Sequence, residues 1–317
     1  MGEHAIAPLG PFSLTAARDF AGGFPAGIGG GGATGTSLVM AFPLEPSPGG
    51  DGPWRHSAIV ELRQASSDGP VEARIDTDGD EAAALVQAAR SVSLDHDGRG
   101  WPEVGRRDPV IGRLQAELAS LRPVCFYSAY EAATSFVIGQ RISRAQSARV
   151  KARLAELAGD ALEIDGTGFR AFPRPERLLE VDELPGLSAE KLRRVQGLAE
   201  AAMDGRLDTT RLRSMPTEAA LAELRRLPGV GDFTAQGILL RGCGLADALP
   251  DDALSDEVLT AMYPDEVASG RGRDAITDRW RPYRMWATVL LRVGWGRQAG
   301  RGASYRRDRR PSGAGAA

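Results

Sequence analysis

Apolar and polar positions divide the chain into two halves with different periods. Between residues 36 and 76 the apolar residues come in short runs. "TSLVMAFPL" is mostly apolar and "HSAIVELRQ" partly so, while in "VEARID" Val71, Ala73 and Ile75 alternate with Glu72, Arg74 and Asp76. A two-residue period turns one face inward, so these runs read as strands of an antiparallel sheet. "DGDEAAALVQAARSVSL" opens with capping residues and continues as a helix former. Residues 1–10 and the Gly-rich 21–36 read as loop, and "DHDGRGWPEVGRRDP" as a linker.

From Pro109 onward the period lengthens. Segments such as "VIGRLQAELASL", "YEAATSFVIGQ", "ISRAQSARVKARLAELA", "SAEKLRRVQGLAEAAMDG", "TEAALAELRRL", "DFTAQGILLRG", "DEVLTAMY" and "YRMWATVLLRVGW" are helix-length and separated by Pro or Gly. Their apolar residues recur at three and four, as in Leu221, Leu224 and Leu227. The expected fold class is an α+β N-terminal sheet domain with linker (1–108) followed by an all-α domain (109–300). Residues 301–317 read as a basic disordered tail.

Composition narrows the class only a little. The chain of 317 residues is 42% hydrophobic and 26% charged, with no apolar run long enough to span a bilayer and no basic-then-apolar leader at its start. No membrane partner is expected, and a cytoplasmic, nucleoid-associated location is. Cys125 and Cys243 are too few for a disulfide framework or a four-cysteine metal site and read as reduced thiols. The net charge is −3, but it is unevenly spread. Residues 271–317 carry twelve Arg against three Asp, net +9. A basic C-terminal portion on an acidic body suits phosphate binding. Arg outnumbers Lys 37 to 2, a preference that accounts for the residue type but not for its segregation.

Two short stretches carry the chemistry. Leu227-Pro228-Gly229-Val230-Gly231 sits between two helical segments. Its glycines permit positive φ and close backbone approach, and the following helix opens with N–H groups suited to a phosphate. An ordinary helix–turn–helix corner would look similar. Leu184-Pro185-Gly186-Leu187 repeats half of that pattern and reads as a structural corner. Twenty residues past the hairpin, Pro250-Asp251-Asp252 precedes "ALSDEVLTAMY". One Asp can be simply an N-cap. A carboxylate held ionised at a helix start can also oppose the positive charge of a sugar oxocarbenium ion.

With these residues in place, the chain resembles the helix–hairpin–helix DNA glycosylase superfamily, most closely its bacterial 3-methyladenine glycosylase II branch. "VIGQRIS" (137–143), the hairpin 227–231, "LRG…LPDD" (240–252) and "RWRPYRMWATVLL" (279–291) carry the resemblance, which spans residues 11–298. It implies that the sheet domain is TATA-binding-protein-like and that Asp252 is the catalytic carboxylate, with Asp251 a cap or support. It implies DNA contacts from Gln140, Arg141, Ser143, Gly229, Val230, Gly231 and Thr234, with Arg141 as the wedge that fills the gap left by an extruded nucleotide. It also implies a monovalent cation (Na+ or K+) on the backbone carbonyls of Arg225, Leu227 and Val230, with no cofactor required. Strand-cleaving members use a lysine just after the hairpin. Here that position is Phe233, and the only lysines are Lys151 and Lys191. A base must be flipped and held against aromatic faces, for which Phe233, Trp280, Tyr283 and Trp286 are the candidates. Two pocket tyrosines of the family appear as Gly237 and Ala253, a loss expected to open the pocket or weaken recognition of cations. The implied function is a monofunctional, monomeric glycosylase that releases alkylated purines from double-stranded DNA containing damaged bases. The alternatives are a glycosylase for deaminated or oxidised bases and a non-catalytic binder of damaged DNA.

Overall fold

The computed structural model describes residues 2–21, 28–30, 37–46, 54–118 and 120–298. Its strands are β1 (Gly2–Ile6), β2 (Ile28–Gly30), β3 (Ser37–Pro43), β4 (Ser57–Gln64), β5 (Val71–Thr77), β6 (Ala161–Ile164) and β7 (Thr167–Arg170). Its helices are α1 (Leu14–Ala21), α2 (Glu81–Ser91), α3 (Trp101–Arg107), α4 (Pro109–Glu117), α5 (Ala129–Gly139), α6 (Arg144–Ala158), α7 (Pro175–Leu179), α8 (Ala189–Met203), α9 (Thr209–Ser214), α10 (Thr217–Leu224), α11 (Asp232–Gly237), α12 (Ala253–Met262), α13 (Pro264–Ala268), α14 (Arg273–Thr277) and α15 (Arg284–Gln298). A π-helical turn, Ile238–Gly242, continues α11, and a 3-10 turn, Asp278–Trp280, follows α14. No described helix is long and apolar enough to cross a membrane.

A sheet unit thus precedes a mostly helical one. Five strands pair in the order β1-β5-β4-β3-β2, antiparallel throughout. One face packs on α1 and α2 through Phe12, Leu14, Met40, Phe42, Val60 and Leu62. On the other face Val39 and Ile59 meet Ile164 of the β6–β7 hairpin. Coverage on both faces explains why β3 and β4 are almost continuously buried, whereas β5 alternates. The helical unit is built around α5, whose residues from Ala129 to Ser135 are all buried.

Several readings of the sequence need correction. Residues 2–6 are not loop: they form β1, at the sheet edge, with Gly2 opposite Ile75 and Ile6 opposite Val71. Ile28–Gly30 is likewise a short strand against Leu38–Met40. The stretch read as a linker contains α3, because Gly105 and Gly112 let α3 and α4 touch: a Cβ on Gly112 would lie 2.6 Å from the Gly105 carbonyl oxygen. The half read as all-α contains the β6–β7 hairpin. Its turn residues Asp165 and Gly166 both have positive φ, 49° and 75°, as a tight two-residue hairpin requires. The tail 301–317 lies outside the described residues.

Arg122 ties the two units together. Its guanidinium donates to the carbonyls of Leu9, Gly10, Pro11, Ser93 and His96 and lies 5.2 Å over the Trp286 ring. Burial pushes its pKa down to about 10.

Candidate active site

The hairpin is fixed by close packing at Pro228 and Gly229. Gly229 has φ +76°, and a side chain there would press on Arg194 and Val137. Gly197 of α8 leaves room for the Pro228 ring, since a Cβ would lie 2.8 Å from Pro228 Cγ. Leu227 and Val230 are buried, and the Val230 N–H donates to the Leu227 carbonyl at 3.1 Å. Gly231 then begins α11 without a side-chain cap, so the first-turn amides are left for another acceptor. Arg225 pairs with Asp232 across the turn.

The "GQRIS" loop joins the hairpin directly. Gln140 Nε2 donates to the Gly229 carbonyl at 2.7 Å. Lys191 Nζ donates to the carbonyls of Ile138 and Gln140, and burial, helped by Arg141 and Arg194, lowers its pKa. Arg141 follows in the left-handed region, φ 59°, with an exposed side chain. That conformation is costly for a non-glycine residue and is found where geometry matters. Ser143 has a local duty, closing a capping box with Gln146 at the start of α6. Thr234 is 5% exposed, so its hydroxyl is turned away from solvent, and only its backbone amide could serve a phosphate.

The two adjacent carboxylates are held differently. Asp251 points outward and pairs with Arg273 at 3.0 Å, while its amide donates to Gln236 Oε1 at 2.6 Å. Gln236 belongs to α11, so this bond links the hairpin helix to the Pro-Asp-Asp turn. Asp252 is the N-cap of α12, with a side chain 11% exposed. Its Oδ1 accepts from the Ser255 amide at 3.0 Å, and its Oδ2 accepts from Arg292 Nη2 at 2.6 Å. Arg292 also donates to Ser255 Oγ at 2.7 Å, which closes a ring of contacts around the carboxylate.

The aromatic assignments divide. Phe233 is 44% exposed, and its ring meets Phe136 edge-on at 6.1 Å. Trp280, Tyr283 and Trp286 are all buried in the core, though Trp280 also lines a small cavity with Ser255, Arg273 and Thr288 beside the Asp252 cap. Trp280 donates its indole N–H to the buried Asp108 at 2.8 Å, and Tyr283 donates its hydroxyl to the Asp97 carbonyl at 2.6 Å. Trp286 is fully buried between Trp101, Tyr283 and the Arg122 guanidinium. The Trp286 indole N–H has no hydrogen-bond partner among the described residues, yet the ring is sealed, and neither it nor Tyr283 presents an open face to a base. The expectation that Gly237 leaves an opening is also corrected: Phe136 of α5 lies over it, 2.5 Å from where a Cβ would stand. Ala253 is exposed.

Four further residues belong here that the sequence did not single out. Phe136 lies in "YEAATSFVIGQ", where nothing marks it out from its apolar neighbours. Gln236 and Arg273 hold Asp251. Arg292 stands eight residues into α15, at a spacing from Asp252 that no pattern announces.

No family profile matches the chain. It is 32% identical over 194 residues to DNA-3-methyladenine glycosylase 2 of Escherichia coli, an alignment covering 58% of this chain and 65% of that protein. It is 26% identical over 210 residues to DNA-3-methyladenine glycosylase of Bacillus subtilis, covering 62% and 67%. The chain thus spans about two thirds of the length of these relatives. Its fold is that of the 3-methyladenine DNA-glycosylase from Archaeoglobus fulgidus, with a TM-score of 0.69 at 16% identity, over 94% of this chain and 99% of that one. With the hairpin and the capped aspartate in place, the chain is related to bacterial 3-methyladenine glycosylase II and shares the helix–hairpin–helix DNA glycosylase fold.

Proposed function

We propose that the protein is a monofunctional, monomeric DNA glycosylase that removes a flipped, damaged purine from double-stranded DNA. The observation that carries this reading is Asp252, a carboxylate at a helix start with one oxygen used for capping and a side chain 11% exposed. The hairpin and the first-turn amides of α11 hold a phosphate of the bent strand, and Arg141 fills the gap left by the extruded nucleotide. Phe233, backed by Phe136, offers the base an aromatic face. As the C1′–N bond breaks, its electron pair leaves with the base, and the Asp252 carboxylate stabilises the oxocarbenium ion. Water then adds to C1′ and leaves an abasic site. Alkylated purines of the 3-methyladenine type are the substrates suggested by the relatives' names. An alkylated purine carries a positive charge and departs neutral, so the reaction needs no strong general acid.

Strand cleavage would need an amine at the sugar. Phe233 stands just after the hairpin, Lys151 is buried beside the Phe126 ring, and Lys191 is engaged by two carbonyls. Hydrolysis alone is therefore the expected outcome. A monovalent cation on the carbonyls of Arg225, Leu227 and Val230 fits the hairpin: the Leu227 oxygen accepts one hydrogen bond and keeps a lone pair. Such an ion would add positive charge beside the phosphate. A DNA substrate is in keeping with a location at the nucleoid in the cytoplasm.

The test is base release from methylated DNA by wild type and by Asp252→Asn. Free 3-methyladenine from wild type, with release down about 10²–10³-fold in the variant and DNA binding retained, supports the reading. Equal release by both would remove Asp252 from the mechanism. DNA binding without release of any damaged base would favour a non-catalytic binder.

A further inference from the structure

We infer that Arg292 is a specificity-determining residue of this site, tilting it from cationic alkylated bases toward neutral purines that carry a carbonyl oxygen. The inference rests on the glycosylase reading above. It begins with the 2.6 Å pair between Arg292 Nη2 and Asp252 Oδ2. A lone carboxylate would draw a positively charged base into the site. A guanidinium in contact with that carboxylate cancels most of the attraction and repels a fixed positive charge placed close by.

The same group favours a different leaving group. A neutral purine departs with negative charge developing on the base until a proton reaches it. The charge balance is simple: water supplies hydroxide to C1′ and a proton to the departing base. A guanidinium beside the site stabilises the anionic character before that proton arrives. Arg292 has the capacity to do so. Nη2 serves Asp252 and Ser255, while Nη1 has no hydrogen bond among the described residues, and the side chain is 30% exposed. Two N–H donors therefore remain for an acceptor such as a purine O6, a pairing that guanidinium geometry suits. The other cation at this turn, Arg273, is engaged by Asp251, Asp256 and the Pro250 carbonyl.

The experiment measures single-turnover release of hypoxanthine, a neutral base, and of 7-methylguanine, a cationic one, from duplex DNA. Wild type, Arg292→Met and Arg292→Lys are compared. Arg292→Met keeps the stem and removes the charge. The expected result is a fall of about tenfold or more in the hypoxanthine to 7-methylguanine rate ratio for that variant, with the ratio largely retained in Arg292→Lys. Thermal melting of each variant reports folding, and a loss of fold would lower both rates together, not their ratio. An unchanged ratio overturns the inference, as does wild-type release of 7-methylguanine without hypoxanthine. Release of neither base by well-folded wild type overturns the glycosylase reading itself.

Discussion

Asp108 and Asp252 begin from the same local structure and end in different places. Each is an N-cap whose Oδ1 accepts backbone amides, of Val110 and Ile111 at α4 and of Ser255 at α12. The second oxygen separates them. Asp108 Oδ2 accepts from Trp280 Nε1 at 2.8 Å and Tyr263 Oη at 3.0 Å, lies 3.5 Å from Arg279, and is sealed from solvent. Burial, together with the nearby Asp108 charge, pushes the Tyr263 hydroxyl pKa up. Asp252 Oδ2 meets one guanidinium and keeps a path to solvent. Capping thus fixes the position of a carboxylate, and the surroundings of the second oxygen set Asp108 in the core and leave Asp252 open to the chemistry proposed for it.

The largest expected effect falls on the structural member of the pair. Asp108→Ala strands the Trp280 and Tyr263 donors, two helix amides and the nearby Arg279 charge. The expected cost is about 3–5 kcal/mol of unfolding free energy, read by urea denaturation. Asp252→Ala is the mirror image. It loses one cap, about 1 kcal/mol, yet base release falls by about 10²–10³. If Asp252→Ala proved as destabilising as Asp108→Ala, the division between the two would collapse. Gly237→Ala ranks next. The added methyl meets the Phe136 ring, and the expected loss is about 1–3 kcal/mol in stability, with base release reduced because Phe233 leans on Phe136.

What the sequence disclosed follows the same division. Capping chemistry, the glycine hairpin and the period-2 run of β5 are local, so they were legible. β1 was not, because "GEHAI" has no β-branched run and becomes a strand by pairing with β5. α3 was obscured by glycines that serve packing rather than turning. The Asp165-Gly166 signal lay in the chain between alternating residues, and its weight was masked by the helices around it. At the site, Asp252 could be proposed because its motif is contiguous. Arg292 and Phe136 were missed because they reach it only through tertiary packing. The same limit hid how the three rings are held: from sequence, Trp280 is an aromatic near a functional motif, and only the fold shows that it is buried and that Asp108 holds its N–H.

That last bond supplies the smallest and most discriminating test. Trp280→Phe keeps a ring in the core but removes the donor to Asp108 Oδ2, which still accepts from Tyr263. The expected loss is about 0.5–1.5 kcal/mol for the hydrogen bond, plus a smaller cost for the lost ring volume. Base release per folded molecule should be unchanged, since Trp280 presents no face to solvent. Phe233→Leu provides the contrast: its side chain is 44% exposed, so melting should shift little while kcat/KM falls. A Trp280→Phe variant that melted normally but lost base release would return that ring to the pocket. Asp108 would then be part of the site it now stands apart from.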